Sequence, residues 1–315
     1  MRAVQVREFG GPEVLVEAVL PEPVAGPGEV VVGVAYAAID FVQTQLRRGY
    51  SPGPPLPGPP YVPGATVSGE VIGVGEGVDS GWVGRRVVTR TANAQGGYAE
   101  RALAPADALV AVPGATSLAD AAALHDDGAT ALGLMENAQV RPGEWVLVEA
   151  AGGGVGSLLV RLALAAGAQV VGAAASGAKR DLVRRLGAKA VDYTEPDWTD
   201  QVVALTGRGP DVVFDGVGGE LGRAALAVVA PGGRFSIHGA SSGSPTVAES
   251  GTDITVIPIS QLFTFGEHTT RRVGQVLTGG LTPTIGQTLP LARAAAAHAA
   301  MEARTVTGKT LLVVS

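Results

Sequence analysis

Two hydrophobic rhythms divide the chain. From Met1 to about Val112, short apolar runs such as MRAVQV, EVVVGVAYAAI, VSGEVIGVGEGV and RRVVTR stand between Gly- and Pro-rich turns, the pattern of an irregular β-rich unit. From about Ser117 the apolar strands EWVLVEA, AQVVGAA, AVDY, DVVFDGV and RFSIHG alternate with stretches whose apolar residues recur at helical spacing, as at Val155, Leu158, Leu159 and Leu162. That alternation predicts right-handed βαβ units and a parallel sheet covered on both faces. Beyond about Ser250 the rhythm fades into one more strand, DITVIPIS, an Ala-rich helix from Pro290 to Ala303 and a closing strand, GKTLLVVS.

Composition narrows the classes. At 315 residues, 46% apolar and 17% charged, the chain has the length for two domains and the hydrophobic content for a sizeable core. Its net charge of −6, with Lys179, Lys189 and Lys309 the only lysines, argues against nucleic-acid and anionic-membrane partners. The absence of cysteine excludes disulfides, iron–sulfur clusters and thiolate zinc sites. No apolar run reaches the roughly 18 residues of a membrane span. The opening MRAVQVREFGGPEVLVE alternates and carries charges where a signal peptide needs an unbroken apolar core, so it reads as a strand and the expected location is the cytoplasm. The proline-dense segment Gly49 to Gly64 reads as a stiff surface loop or as a border of a ligand cleft.

The clearest chemistry follows EWVLVEA. Gly152, Gly153 and Gly154 lead into an apolar helical stretch, the setting in which a glycine turn aims free N–H groups and the positive helix end at a phosphate. Read as G-x-G-x-x-G, the places fall on Ala151, Gly153 and Gly156; Gly153 allows close backbone approach to a pyrophosphate and Gly156 lets helix pack on strand. A plain tight turn is the simpler reading of the same residues. A Walker loop is excluded, because no Gly-Lys-Ser/Thr ending is present. An NAD site carries Asp or Glu roughly 20 residues further on, to bind the ribose 2′-hydroxyl. Here that place reads GAAASGAKR: Ser176 offers a hydroxyl, and Lys179 and Arg180 bring positive charge suited to a 2′-phosphate. Ser176 also fits as the cap of the helix GAKRDLVRRLG, with the basic residues on its solvated face.

Taken in order, MRAVQVREFGGPEVL, AAIDFVQTQLRRG, PGATVSGEV, RPGEWVLVEAAGGGVGSLLVRLA, DVVFDGVGG and GKTLLVV resemble the medium-chain dehydrogenase/reductase superfamily, and within it the zinc-free quinone oxidoreductases, also called zeta-crystallin-like. The resemblance implies an α/β protein: a GroES-like, β-rich catalytic domain over 1–116, a Rossmann domain with a doubly wound parallel sheet over 117–252, and a segment 253–315 that returns to the catalytic domain. It implies NADPH as hydride donor, held by Thr130, Ala151, Gly153, Gly154, Val155, Gly156, Ser176, Lys179, Tyr193, Val217, His238 and Gly239. Lys179 and Tyr193 would take the 2′-phosphate and adenosine end, and the strands ending at Asp215 and His238 would pass near the nicotinamide. A homodimer is implied too, with DITVIPIS pairing edge to edge with its copy.

In the zinc-bearing branch the metal is held by a cysteine, a His-Glu pair and a second cysteine; by resemblance these places are Asp40, Ala65 with Thr66, and Asp126. A catalytic zinc takes three protein ligands with N or S prominent, so no metal is expected; Asp40, Asp126 and His125 together are the alternative. Asp126 and Asp127 also fit a helix N-cap or a solvated turn. The quinone oxidoreductases usually show Asn at Asp40, Asp at Gln43 and Tyr at Gln45, so the motif is redecorated here. Asp40, desolvated beside a nicotinamide, would be pushed toward its neutral form and serve as proton donor; a structural hydrogen-bonding role is its other reading. Without a metal Lewis acid, the expected substrate is a small conjugated acceptor, a quinone or an α,β-unsaturated carbonyl. Thr66, Gln43, His125 and backbone N–H groups are candidates to stabilise the oxyanion, Asp40 and Asp126 complete the catalytic set, and Tyr50 or Phe263 would stack on a flat substrate. His238 and His268 also read as a satisfied strand-end imidazole and a surface residue. A pathway-specific enoyl or alkenal reductase, and an NADPH-binding sensor without turnover, are the rival functions.

Overall fold

Val and Ala alternating with polar or glycine positions suit a pleated sheet with one buried face, and they build the first part of the chain. β1 (Arg2–Val6) and β2 (Leu15–Val19) form an antiparallel ribbon, followed by β3 (Glu29–Ile39), α1 (Phe41–Arg47), β4 (Thr66–Val74), β5 (Arg86–Arg90), β6 (Arg101–Pro105) and β7 (Val110–Ala111). α2 (Leu118–Ala138) opens on Ser117, whose hydroxyl oxygen accepts the Asp120 N–H at 3.0 Å. The computed structural model describes residues 1–51, 53, 55–247 and 253–314, so Pro52 and Pro54 of the proline-dense segment lie outside it.

The alternating region then runs β8 (Trp145–Glu149), α3 (Gly154–Ala165), β9 (Gln169–Ala173), α4 (Gly177–Arg185), β10 (Lys189–Val191), α5 (Trp198–Thr206), β11 (Val212–Asp215), α6 (Gly219–Ala227), β12 (Arg234–Ile237) and β13 (Thr255–Ile257). All six strands are parallel, in the order β10-β9-β8-β11-β12-β13. This is the doubly wound Rossmann order 3-2-1-4-5-6. Leu147, Val171, Val213 and Phe235, none of them accessible to solvent, form the centre of its core. β13, the strand expected to pair with a second copy, is an edge strand of this sheet.

α7 (Thr269–Thr278), β14 (Ile285–Pro290), α8 (Ala294–Glu302) and β15 (Lys309–Val313) complete the chain. β15 pairs antiparallel with the carboxyl half of β3, Thr310 opposite Ile39, in a seven-stranded sheet of order β14-β15-β3-β4-β5-β7 with β6 also on β3. Val30, Val32, Val67, Val71, Tyr98 and Leu312 fill that core. The chain therefore forms two units, Met1–Asp126 with Val273–Ser315, and Asp127–Arg272. The first division falls inside α2 rather than before it, because Ala122 and Ala123 pack with Ala38 and Leu311 of the first unit. The expected boundary at residue 252 lies outside the described residues; the second division falls inside α7, where Arg272 is drawn to Glu136 at 2.7 Å.

Several polar side chains buried in the first unit are paired over long stretches of chain. The Tyr98 hydroxyl lies 3.0 Å from His298 Nε2. Arg47, at the end of α1 and without solvent exposure, forms an ion pair with Glu302 at the end of α8; the exposed Arg48 reaches the same carboxylate at 3.0 Å. Burial pushes the Arg47 guanidinium down from its ordinary range while the charge and hydrogen bond of Glu302 oppose the shift. Breaking one side of such a pair leaves an uncompensated charge in the interior. Glu302→Ala is therefore expected to cost about 3–5 kcal/mol in urea unfolding, whereas Arg48→Ala should cost less than about 1 kcal/mol.

Candidate functional site

β8 ends at Glu149, and the chain turns through Ala150 at φ 51°, in the left-handed region, before Gly153 takes the N-cap of α3. Gly153 provides no side-chain cap, and the first helical bond runs from the Ser157 N–H to the Gly153 carbonyl at 3.0 Å. The amides of Gly154, Val155 and Gly156 thus form an uncapped helix start suited to an anion. A Cβ on Gly156 would stand 2.4 Å from the Ala150 carbonyl oxygen, so this residue lets α3 close onto the turn. At Gly153 the nearest atom would be 3.3 Å away, which leaves that glycine's outer side to an incoming group.

The next crossover supplies the basic end. Ser176 is the N-cap of α4 and accepts the Lys179 N–H at 3.4 Å, so the capping reading of Ser176 holds. A Cβ on Gly152 would meet the Lys179 Cβ at 2.5 Å, which places Lys179 beside the glycine turn. Arg180 is turned elsewhere, onto the Ala174 and Ala175 carbonyls and Asp192. Tyr193, two residues past β10, packs its ring on the sheet core. Thr130 is half-buried in α2.

The carboxyl ends of β8, β11 and β12 meet where the strand order reverses, the place at which doubly wound sheets bind ligands. Asp215, fully buried, accepts the Val217 and Gly218 N–H groups at 2.9 and 2.7 Å and the Thr246 hydroxyl at 2.6 Å. The His238 and Gly239 amides bond the Asp215 carbonyl at 2.8 and 3.2 Å. Burial lowers the His238 imidazole to about 4, against the opposing charge of Asp215, and His238 Nδ1 has no hydrogen-bond partner; the expectation of a satisfied strand-end imidazole is corrected on that side. His268 is exposed, as its surface reading requires. Glu149 was missed by sequence reasoning. Its signal was an acid closing an otherwise apolar strand.

In the first unit the structure brings Thr66, His125 and Asp126 together. The Thr66 hydroxyl donates to Asp126 Oδ2 at 2.7 Å, His125 Nδ1 lies 2.8 Å from Asp126 Oδ1, and Arg90 stands 3.7 Å from the same oxygen. Burial alone would raise the Asp126 carboxyl, but the charge and hydrogen bond of His125, with Arg90 and Thr66, hold it well below the usual carboxylate range. An ionised Asp126 only accepts, so His125 Nδ1 carries the hydrogen between them. Two expectations change. Asp126 and Asp127 lie within α2, not at its start, and Thr66, buried with its one proton given to Asp126, has none left for an oxyanion. His125 is itself only 2% exposed, whereas Arg90, which sequence reasoning passed over, is 51% exposed.

Asp40 stands at the N-cap of α1, and its carboxylate forms an ion pair with Lys309, the first residue of β15. The apolar surroundings expected for Asp40 are thus corrected, since the Lys309 ammonium stands beside its carboxylate. With Asp40 so paired and Asp126 held by Thr66, His125 and the nearby Arg90 cation, these residues do not fit a zinc site. Among the described residues no group of three or more His, Asp or Glu side chains is placed to hold a metal. Gln43 is buried in α1, while Tyr50 and Phe263 are exposed on the first and second units. Among the described residues no helix is long and apolar enough to cross a membrane.

The profile of the zinc-binding dehydrogenase family matches residues 154–301, and that of the alcohol dehydrogenase GroES-like domain matches residues 26–114. A quinone oxidoreductase of Mus musculus is 33% identical over 314 residues, covering 95% of this chain and 93% of that protein. A 2-haloacrylate reductase of Burkholderia sp is 31% identical over 329 residues, with 99% and 98% covered. The crystal structure of Escherichia coli quinone oxidoreductase complexed with NADPH superposes with a TM-score of 0.89 at 28% identity, covering 99% of this chain and 100% of that one.

The buried histidines set a pH dependence. An unfolded histidine takes its proton near pH 6.5, whereas folded His238 and His298 are lowered by burial to about 4 and about 3. Between those limits each of these histidines binds more protons in the unfolded chain, so their contribution to stability falls as pH drops below about 6.5. In urea unfolding at pH 7.5, 6 and 5, His238→Gln should therefore lose less stability toward acid than the wild type.

Proposed function

The chain belongs to the medium-chain dehydrogenase/reductase superfamily, in its quinone oxidoreductase branch, and from this premise we propose that it reduces a conjugated small-molecule acceptor, a quinone or an α,β-unsaturated carbonyl, with NADPH and without zinc. It is an NADPH-dependent oxidoreductase. The observation that carries the cofactor is the uncapped start of α3 on the glycine turn, with Ser176 and Lys179 where an NAD site would have an acid. NADPH supplies the hydride when bound. The amides of residues 154–156 would hold its pyrophosphate, Ser176, Lys179 and Tyr193 would take its 2′-phosphate and adenosine, and Val217, His238 and Gly239 would line the other end. His238, neutral at pH 7, adds no charge there.

The acceptor class follows from what the first unit cannot provide. No thiol exists in the chain, and the acids at the zinc-ligand places are engaged by Lys309 and by Thr66, His125 and Arg90. A simple ketone would need Lewis-acid polarisation, whereas a conjugated acceptor stabilises its own product anion by resonance. Similarity to both a quinone oxidoreductase and a 2-haloacrylate reductase supports either kind of conjugated substrate. The Asp126 cluster fixes geometry rather than moving protons, and Arg90 is its solvent-facing cation. Water delivers the final proton to an enolate.

Two measurements test this reading. NADPH should bind at least about tenfold more tightly than NADH, some 1.4 kcal/mol, and Lys179→Ala should narrow the gap; equal affinities by fluorescence titration would sink the 2′-phosphate assignment. Against a panel of para-quinones, enones, enals, simple ketones and alcohols, turnover should be confined to conjugated acceptors and survive chelation. In that panel Asp40→Asn should slow enones and quinones alike, each by less than about tenfold. A hundredfold loss confined to enones would restore Asp40 as the proton donor.

A further inference from the structure

Glu149 ends β8 with no solvent exposure, and neither of its carboxyl oxygens receives a hydrogen-bond donor. Such a group is costly in the ionised form, because nothing replaces the water it has lost. The register explains what stands beside it. β8 and β11 are parallel neighbours with Val148 opposite Phe214, so the next residue of each strand is Glu149 and Asp215. Asp215 already accepts from the Val217 and Gly218 amides at Oδ1 and from the Thr246 hydroxyl at Oδ2, which leaves Oδ2 room for one more donor. A protonated Glu149 finds a partner here, as the donor to Asp215.

Resting on the reading that the dinucleotide lies at this reversal point of the sheet, we infer that Glu149 is a positioning residue for it: Glu149 and Asp215 share one proton, and this acid–acid hydrogen bond fixes the 215–219 turn beneath the cofactor. The turn needs fixing. Gly218 and Gly219 are both left-handed, at φ 72° and 60°, and Asp215 is the side chain that holds the amides of Val217 and Gly218. Helix α6 also closes on this carboxylate, since a Cβ on Gly222 would stand 2.7 Å from Asp215 Oδ2. The same bond anchors the end of β8, from which the phosphate turn departs.

The surrounding groups favour the shared proton. Burial, with the hydrogen bond and charge of Asp215, pushes the Glu149 carboxyl well above the usual carboxylate range, and the opposing pull of the Val217 amide is the smaller. From β12 the group facing Asp215 is His238, lowered to about 4 and so uncharged at neutral pH. β9 presents Ala173 opposite Glu149. No cation among these is placed to let both acids ionise, and losing the shared proton at alkaline pH sets two carboxylates against each other under the turn.

The test reads the proton directly. Infrared spectra of the wild-type chain with and without carbon-13-labelled glutamate should show, at pH 7, a protonated-carboxyl band that shifts with the label, is lost at alkaline pH and is missing from Glu149→Gln. NADPH affinity, followed by protein fluorescence, should weaken at least about tenfold between pH 7 and 9.5 in the wild type. It should stay within about twofold in Glu149→Gln, whose amide donates to Asp215 at every pH. Absence of the band at pH 7, or parallel affinity profiles in the two proteins, would overturn the inference. Failure of the wild type to bind NADPH at any pH would overturn the cofactor reading instead, and the infrared band, which needs no cofactor, would still decide whether the proton is shared.

Discussion

Helix α3 can start against the end of β8 only because two stretches of backbone are allowed to touch. Gly156 stands where any side chain would strike the Ala150 carbonyl, and Gly172 on β9 leaves room that Val183 and Ala151 fill, with contacts of 2.7 and 2.8 Å to a Cβ placed there. With these approaches closed, α3 and α4 lie directly on β8 and β9 and the uncapped amides of residues 154–156 are held at one point. The strand order that results sets Glu149 against Asp215. The phosphate turn, the basic cap at Ser176 and the buried acid pair all depend on that packing.

The first unit is held by a different device. Arg47 with Glu302, Asp40 with Lys309 and Tyr98 with His298 are partners 255, 269 and 200 residues apart in the chain, and each joins the amino-terminal part of the unit to the returning segment. Desolvation makes each group depend on its partner. The small Val and Ala side chains of this core pack without strong directionality, whereas a buried guanidinium or ammonium accepts only one arrangement. Alignment of β15 on β3 is thereby tied to the seat of α1, at whose start Asp40 stands.

The local periodicities were legible in the sequence. EWVLVEA, DVVFDGV and RFSIHG became β8, β11 and β12, the turn between Ala151 and Gly156 opened α3, and the alternation gave the parallel α/β unit observed, whereas the GroES-like unit was expected from the family resemblance. Ser176 was legible as a cap because capping is decided within four residues. Long-range pairing was not legible. Nothing near Asp40 announces Lys309, nothing near Thr66 announces that its proton goes to Asp126, and Arg90 has the look of any exposed arginine at the end of a strand. Asp126 and Asp127 resemble turn residues in isolation, yet the alanines on either side carry α2 straight through them.

Pairing of β15 with β3 also orders events during synthesis. Tyr36–Ile39 of β3 faces an open sheet edge until residues 310–313 arrive, while every strand of the parallel sheet comes from a stretch made between those two. At ordinary translation rates the delay is on the order of tens of seconds. The parallel unit can close on itself in that interval, and the amino-terminal unit cannot. An unpaired strand edge and an unneutralised Arg47 and Asp40 thus accompany the nascent chain until its final segment is made, so the unit synthesised first is the one completed last.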